Sequence, residues 1–488
     1  MSTESFPFLH ADTPDDVAEL ITRSAAESTR WSRRSRQDRA DVLETMATAF
    51  EAHQSEIVIR ACEETHLAET RIQGELARTL YQFRFFADVI REGSYLEAII
   101  DHPGSTPMGP RPDLRRMLTP VGPVMVFGAS NFPLAFSVPG GDTVSALAAG
   151  SSVIVKAHEG HPETSRFTGA VMAEAAREAG HPDLLTLVQG RQTAQRALLE
   201  NQLAAVAFTG SAQGGQAIQA ILATRETPIP FYGELSGPNP MVFTENALEA
   251  RREEIASDLT ASVVGSMGQL CTKPGLVFIP AGKTGDNFLN SLSAQFSGQT
   301  GAPLLTRGIE DAYRSGIHAR TDAEAVTVIS HGTEAAGVRP QLFAVELDRL
   351  RSAHRQECFG PTTMIVRFSD IRPLLAVLRE LEGSLTGSVH AESADGELVT
   401  LVIDAMASRV GRIIVNGYPT GVAVSWAQHH GGPWPSTNSL HTSVGATALR
   451  RFLRPIAYQD APEWVLPPEL RDDSAGLPRR VDGVLCLH

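Results

Sequence analysis

Glu234-Leu-Ser-Gly237 and Gly268-Gln-Leu-Cys271 set one carboxylate and one thiol each in its own glycine-bearing turn. A thiol is a nucleophile that forms acyl thioesters, and a carboxylate can take a proton from the water that hydrolyses them. The pair suits a reaction that makes a thioester and then releases an acid. Against this stand two plainer fates, an inert buried cysteine for Cys271 and a surface acid for Glu234. Cys358, inside Glu357-Cys-Phe-Gly-Pro361, is the competing thiol, while Cys62 and Cys486 lack any catalytic context. These four cysteines are far apart, with no CxxC pair and no zinc-like spacing, so neither a disulfide framework nor a metal is expected. His429-His430 invites a metal reading, but adjacent side chains on a loop seldom converge on one ion.

Such residues need a scaffold. At 488 residues the chain exceeds one core, and two or three domains are expected. Residues 13–92 read as helical: Thr13-Pro14 starts a helix, and Val17, Leu20, Ile21 and Ala25 recur at helical spacing. Arg39, Val42, Leu43, Met46 and Phe50 predict a second helix, and Gly74–Leu80 begins a third. The Pro- and Gly-rich stretch Asp101–Pro112 predicts a loop, leading into a strand over Leu114–Pro120. From Pro120 onward strands alternate with helices. Val124–Phe127, Ser152–Val155, Leu184–Val188 and Ala204–Phe208 are continuously apolar, as strands of a parallel sheet covered on both faces should be. Helix-length stretches, Thr164–Ala179 and Thr193–Glu200, separate them. A second α/β block runs from about Pro238 to Trp434, with Gly275–Ile279 and Thr363–Val366 as strands.

The net charge of −14 argues against nucleic-acid and anionic-membrane surfaces, which need basic patches. No run of about 18 apolar residues is present to span a membrane, and Met1–Asp16 does not read as a secretory signal. A cytoplasmic protein is the default expectation.

Six motifs taken in order resemble the aldehyde dehydrogenase superfamily, from about residue 10 to the C-terminus. They are Asn131-Phe-Pro133, Val153-Ile-Val-Lys156, Phe208-Thr-Gly-Ser211, Glu234-Leu-Ser-Gly237, Gly268-Gln-Leu-Cys271 and Glu357-Cys-Phe-Gly-Pro361. The resemblance implies an α/β fold with a Rossmann-type cofactor domain (1–101 and 122–235) and a second α/β catalytic domain (236–440). A small oligomerisation element (102–121 and 450–488) would build a homodimer or homotetramer. Cys271 is then the nucleophile, Glu234 the base, and Asn131 with the Cys271 backbone N–H the oxyanion hole. Relatives that pass the acyl group to coenzyme A generally lack this Glu, so water is the expected acceptor. NAD or NADP would be held by Lys156, Glu159, Gly210, Ser211, Gly215, Glu357 and Phe359. The usual GxGxxG is absent, and Gly210-Ser-Ala-Gln-Gly-Gly215 would cradle the phosphates instead. Glu159 would favour NAD by repelling a 2′-phosphate, unless Arg191 or Arg196 counters it.

Further stretches look like the α-ketoglutarate semialdehyde (2,5-dioxopentanoate) dehydrogenase branch: Phe127–Asp142, Lys156-Ala-His158, Pro419-Thr-Gly421, His430-Gly-Gly-Pro433, Thr442-Ser-Val-Gly445 and Arg451–Pro455. A fatty aldehyde dehydrogenase shares many of these marks. Relatives tend to carry an Arg shortly before the Thr-Ser-Val-Gly, whereas Pro435–His441 has none. Asn438, His441 or arginines elsewhere would have to meet a substrate carboxylate in its place. A cysteine hydrolase or thioesterase is the rival from another class, and the sequence offers it no convincing Cys-His-Asn/Asp constellation.

Overall fold

The computed structural model describes residues 10–11, 13–235, 237–333 and 336–487. Its first sheet has six parallel strands in the order His10–Ala11, Leu185–Val188, Val153–Lys156, Val124–Phe127, Ala205–Thr209, Phe231–Glu234. Val124–Phe127 starts both halves of this order, so the topology reverses between it and Ala205–Thr209. In open α/β sheets that reversal leaves a crevice beyond the carboxyl ends of the strands, where ligands bind. Every residue of Leu185–Val188 is buried, as are three of four in Val124–Phe127 and Val153–Lys156, which explains their unbroken apolar sequences.

The second sheet has seven strands, ordered Thr327–His331, Gln341–Glu346, Thr362–Phe368, Leu276–Pro280, Pro240–Phe243, Ser384–His390, Val410–Val415. All its pairs are parallel except the first. A third sheet joins Leu453–Gln459, Leu114–Pro120, Ala98–Asp101, Arg479–Val481 and Val484–Cys486. It takes in Ala98–Asp101, which the range 1–101 above had put with the cofactor domain; its side chains alternate between buried and partly buried as it pairs with Leu114–Pro120.

The predicted helices and strands form, with boundary shifts of a few residues. Three differences have physical reasons. Asp101–Pro112 is not wholly loop, because Gly104–Thr106 and Gly109–Arg111 pair as a hairpin whose turn needs Gly109 at φ 117°. Gln54–Thr65 is an additional helix, its apolar stripe Ile57, Val58 and Ala61 being too short to stand out. The helix predicted from Gly74 begins at Glu69 and runs to Glu92, since its first turn is polar and only Ile72 there is buried. Its face of Arg71, Glu75 and Arg78 matters below.

Candidate active site

The segment that delivers Cys271 follows the helix Glu245–Val264 through three left-handed residues, Ser266 (φ 50°), Met267 (φ 54°) and Gly268 (φ 64°). Two of these are not glycine, a cost of order 1–3 kcal/mol each that persists only where packing enforces it. At Gly268 a Cβ would stand 2.1 Å from the Gly360 carbonyl oxygen, so no side chain fits there. The thiol loop and the Glu357–Pro361 motif thus touch backbone to backbone. The amide of buried Asn239 donates to the carbonyls of Cys271 (2.8 Å) and Lys273 (3.2 Å), which holds the loop from the other side. Gln269 ties it down further, donating to Ser266 and accepting from the Leu305 N–H.

Cys271 opens onto a cleft of about 520 Å³ at the topological reversal of the first sheet. Asn131, Lys156, Gly210, Ser211, Glu357 and Phe359 line it too, so six of the expected site residues converge with the thiol. Two expected cofactor residues do not line it. Gly215 packs on Leu235, whose Cδ2 would lie 2.5 Å from a Cβ, so its role is close helix–strand packing. Glu159 stands outside the rim, exposed, and accepts a 2.7 Å hydrogen bond from Lys156 Nζ. That bond, chiefly, holds its carboxyl below the ordinary range, so it is ionised at neutral pH. Arg196, one of its possible counters, is paired with Glu200 instead.

The cleft fits a dinucleotide. Ser211 caps the helix Ala212–Leu222 by accepting from the Gly214 N–H, and that helix N-terminus faces the cleft, as suits a phosphate. Lys156 brings a cation to the end of its strand. Phe359 and Glu357 line the same cleft as the thiol, and the Glu357 charge reaches the sulfur.

Glu234 lies behind the cleft, buried, at the end of its strand. It accepts from His430 Nε2 (2.9 Å) on one oxygen and from the Ser443 hydroxyl on the other. The same His430 nitrogen is 3.6 Å from Cys271 Sγ, and the three groups lie within 4.8 Å of one another. The sequence reading considered His430 only as a metal ligand, and the structure adds it to the thiol and the carboxylate. Thr442 Oγ1 accepts from the His430 N–H and the Ser443 N–H donates to the His430 carbonyl (2.9 Å), so the Thr442-Ser-Val-Gly445 motif turns the ring inward. No local sequence signal predicts that, although both motifs are visible. His429 is not part of the group.

The electrostatics follow from burial. Burial alone would raise the Glu234 carboxyl, but His430, Ser443 and Arg451 together outweigh it and hold it below the ordinary range. A carboxylate cannot donate, so the proton between Glu234 and His430 belongs to Nε2. Nδ1 is buried and has no hydrogen-bond partner among the described residues. This is not a relay of the hydrolase kind, in which the two ring nitrogens serve different partners. Burial, then the Glu234 and Glu357 charges, push the Cys271 thiol well above the usual cysteine range. Buried Lys273, which donates to the Thr362 carbonyl, is pushed down to about 8 by desolvation.

Asn131 is buried, and its amide donates to the Gln269 carbonyl at 2.8 Å, within the thiol loop. Its own carbonyl accepts from Arg71. Glu75 accepts from the Leu134 and Ala135 N–H groups, so one face of the helix Glu69–Glu92 clamps the whole Asn131–Ala135 segment. Sequence reasoning missed Asn239, Arg71 and Glu75; their helical or turn spacing gives no hint of what they meet.

Asn438, a suggested partner for a substrate carboxylate, is otherwise engaged. It accepts from the Gly233 N–H and donates to the Phe231 carbonyl, clasping the strand that ends in Glu234.

The aldehyde dehydrogenase family model matches residues 4–455. The chain belongs to the aldehyde dehydrogenase family. Such an enzyme oxidises small aldehydes to carboxylic acids with NAD(P). Among curated relatives, α-ketoglutaric semialdehyde dehydrogenase 2 of Azospirillum brasilense is 43% identical, the match covering 91% of this chain and 87% of that one. The α-ketoglutaric semialdehyde dehydrogenase of Acinetobacter baylyi is 37% identical, covering 97% and 92%. Among solved structures, proline utilization A superimposes with a TM-score of 0.79 at 24% identity over 93% of this chain. The chain spans 46% of that longer protein, and the likeness speaks to the fold. Among the described residues, no helix is long and apolar enough to cross a membrane.

Proposed function

We propose that this dehydrogenase oxidises α-ketoglutarate semialdehyde to α-ketoglutarate, releasing the acid to water. The observation that supports this reading most is the buried Glu234 carboxylate beside Cys271, in a chain whose two curated relatives above bear that substrate's name. In this reading Cys271 attacks the aldehyde carbon as the thiolate, its proton having passed to solvent water. Asn131 and the Cys271 N–H stabilise the resulting oxyanion, as oxyanion donors do for developing charge. With NAD(P) bound the nicotinamide supplies the two-electron acceptor that turns this adduct into a thioester. Glu234 then takes a proton from water as the water attacks the thioester carbonyl, and the thiol is returned. His430 steers both partners: its Nε2–H fixes the carboxylate while its ring edge faces the sulfur.

Lys156, Gly210 and Ser211 would hold the adenosine and diphosphate, and Glu357 and Phe359 the nicotinamide end. Residues 1–101 and 122–235 form the cofactor part in this division, of which 1–9 and 12 lie outside the described residues, and 236–440 form the catalytic part, of which 236, 334 and 335 do. Residues 102–121 and 450–488, which supply most of the third sheet, are proposed as the oligomerisation element of a cytoplasmic homodimer or homotetramer. The sheet's edge strand Val484–Cys486 leaves Val484 and Leu485 exposed, the kind of open edge that a second chain covers.

The substrate is tested by comparing kcat/KM for the semialdehyde with that for pentanal. A charged clamp on the distal carboxylate predicts a preference of about 30-fold or more for the keto acid, the value of one or two charge-assisted hydrogen bonds. Equal or better use of pentanal would make the fatty-aldehyde alternative the better reading.

NAD is the proposed cofactor of choice, because the ionised Glu159 would face a 2′-phosphate. Replacing Glu159→Ser is expected to raise the NADP-to-NAD ratio of kcat/KM about tenfold, a modest effect because water screens the pair. A wild-type preference for NADP would show that Lys156 and Arg191 prevail.

A further inference from the structure

Two arginines reach toward the nucleophile without lining the cofactor cleft. Arg78 comes from the helix Glu69–Glu92 and Arg412 from the strand Val410–Val415. Both are anchored on the same short segment, 419–422. Arg78 Nε donates to the Val422 carbonyl (3.4 Å), and Arg412 donates to Pro419 (2.9 Å) and Gly421 (3.4 Å). The Pro419-Thr-Gly421 motif of the sequence thus serves as a backbone bracket for two guanidinium groups.

What remains unbonded on them is informative. Arg78 Nη1 and Nη2 are buried and have no acceptor among the described residues, and Arg412 Nε is in the same state. Buried donors without acceptors are costly and rare, and demand an explanation. Glu75, on the same helix face as Arg78, does not supply one. Its Oε1 is taken by two backbone N–H groups and its ion pair within 4 Å, among the described residues, is with Arg71, at 3.8 Å, so it attracts Arg78 only at longer range. The free Nη1/Nη2 edge of a guanidinium is a planar fork matched to a carboxylate.

The fork is close to the chemistry. The Arg78 guanidinium lies 4.9 Å over the Phe136 ring, and that ring is 6.4 Å from the His430 ring that faces Cys271. Burial lowers the pKa of both arginines; the charges of Glu75, Glu234 and Cys271, in that order, partly offset this for Arg78, and the charge at Cys271 does so for Arg412. A five-carbon keto acid places its carboxylate four C–C bonds, roughly 5 Å, from its aldehyde carbon. Asn438 is already committed to backbone, and Pro435–His441 holds no arginine, so a cation for that carboxylate has to come from elsewhere in the fold.

We propose that Arg78, assisted by Arg412, is the clamp that recognises the carboxylate of the substrate, with the Pro419–Val422 segment aiming both. The inference rests on the keto-acid reading above and supplies its specificity-determining residues.

The experiment measures kcat and KM for the semialdehyde and for pentanal in the wild type, R78Q, R78K and R412Q, together with competitive inhibition by glutarate. In R78Q the semialdehyde-to-pentanal ratio of kcat/KM should fall about 30-fold, mostly through KM, and glutarate should inhibit correspondingly less. R78K should recover part of the ratio, because lysine keeps the charge and loses the fork. R412Q should show a smaller fall, since both terminal nitrogens of Arg412 already donate to Pro419 and Gly421. A wild-type preference that survives in R78Q, or an equal loss for both aldehydes, overturns the clamp and leaves the substrate reading standing. A wild type with no such preference overturns the substrate reading itself, and the clamp with it. Should R78Q fail to fold, R412Q and the glutarate inhibition of R78K decide by the same criteria.

Discussion

Replacing Cys271→Ala is expected to abolish aldehyde oxidation, with a fall in kcat of about 10⁴-fold or more, because no other group can form the covalent intermediate. NAD(P) binding should change little, since the other cleft residues remain. Cys358→Ala should retain most activity. The Cys358 thiol is buried against Tyr313 and Gly316, and burial raises its pKa as well. A pH series separates the thiols further. With its pKa pushed up by burial and by two carboxylates, Cys271 is protonated at neutral pH in the free enzyme. Alkylation of its peptide by iodoacetamide should therefore rise with pH to beyond the ordinary thiol range near 8.5. Mass spectrometry that found the trapped acyl group on Cys358, or a Cys271 fully reactive at pH 6, would sink the assignment.

The thiol, the carboxylate and the cofactor motifs were legible in the sequence because each is short and contiguous. Their meeting was not legible, because it depends on contacts across long separations. His430 shows why. Its neighbour His429 suggested a metal, and only the folded Thr442–Val444 turn, through bonds to the His430 backbone, directs the ring at Glu234 and Cys271. Asn239 and Glu75 are similar cases: each satisfies backbone groups of a loop far away in sequence, and a single sequence contains no trace of that pairing. The sheet strands were the easy part. Continuous apolar runs between glycine-bearing turns admit little else. The short helix Gln54–Thr65 and the hairpin within Asp101–Pro112 escaped because neither has enough apolar periodicity to register. In the Gly210–Gly215 turn the glycines divide between the cleft and the packing behind it. Gly215 serves the packing of Leu235, and what the cleft presents is Gly210, Ser211 and the helix start they introduce.

Replacing Glu234→Gln separates the two halves of the reaction. The amide is nearly isosteric, so Cys271 and its loop should stay in place and thioester formation should proceed. Hydrolysis should slow by about 10²–10⁴-fold, because an amide cannot accept the proton of the attacking water. Rapid mixing should then show a burst of reduced cofactor, about one equivalent per active site, followed by slow turnover. The histidine gives this test a second axis. Burial pushes the Glu234 carboxyl up, and His430 is first among the groups that reverse that effect. In His430→Ala the desolvation is left less opposed, so the Glu234 pKa should rise toward and past the ordinary carboxylate value. The sign is fixed: a base whose pKa rises loses its working form at higher pH, so the acid limb of the deacylation rate should move up in pH. Ser443→Ala removes another bond to the same carboxylate and should shift the limb in the same direction by less. A Glu234→Gln enzyme without a burst, in which both half-reactions slow together, would mean that this carboxylate acts on the thiol as well as on water. A limb that stays put in His430→Ala would mean that the ring positions Cys271 alone.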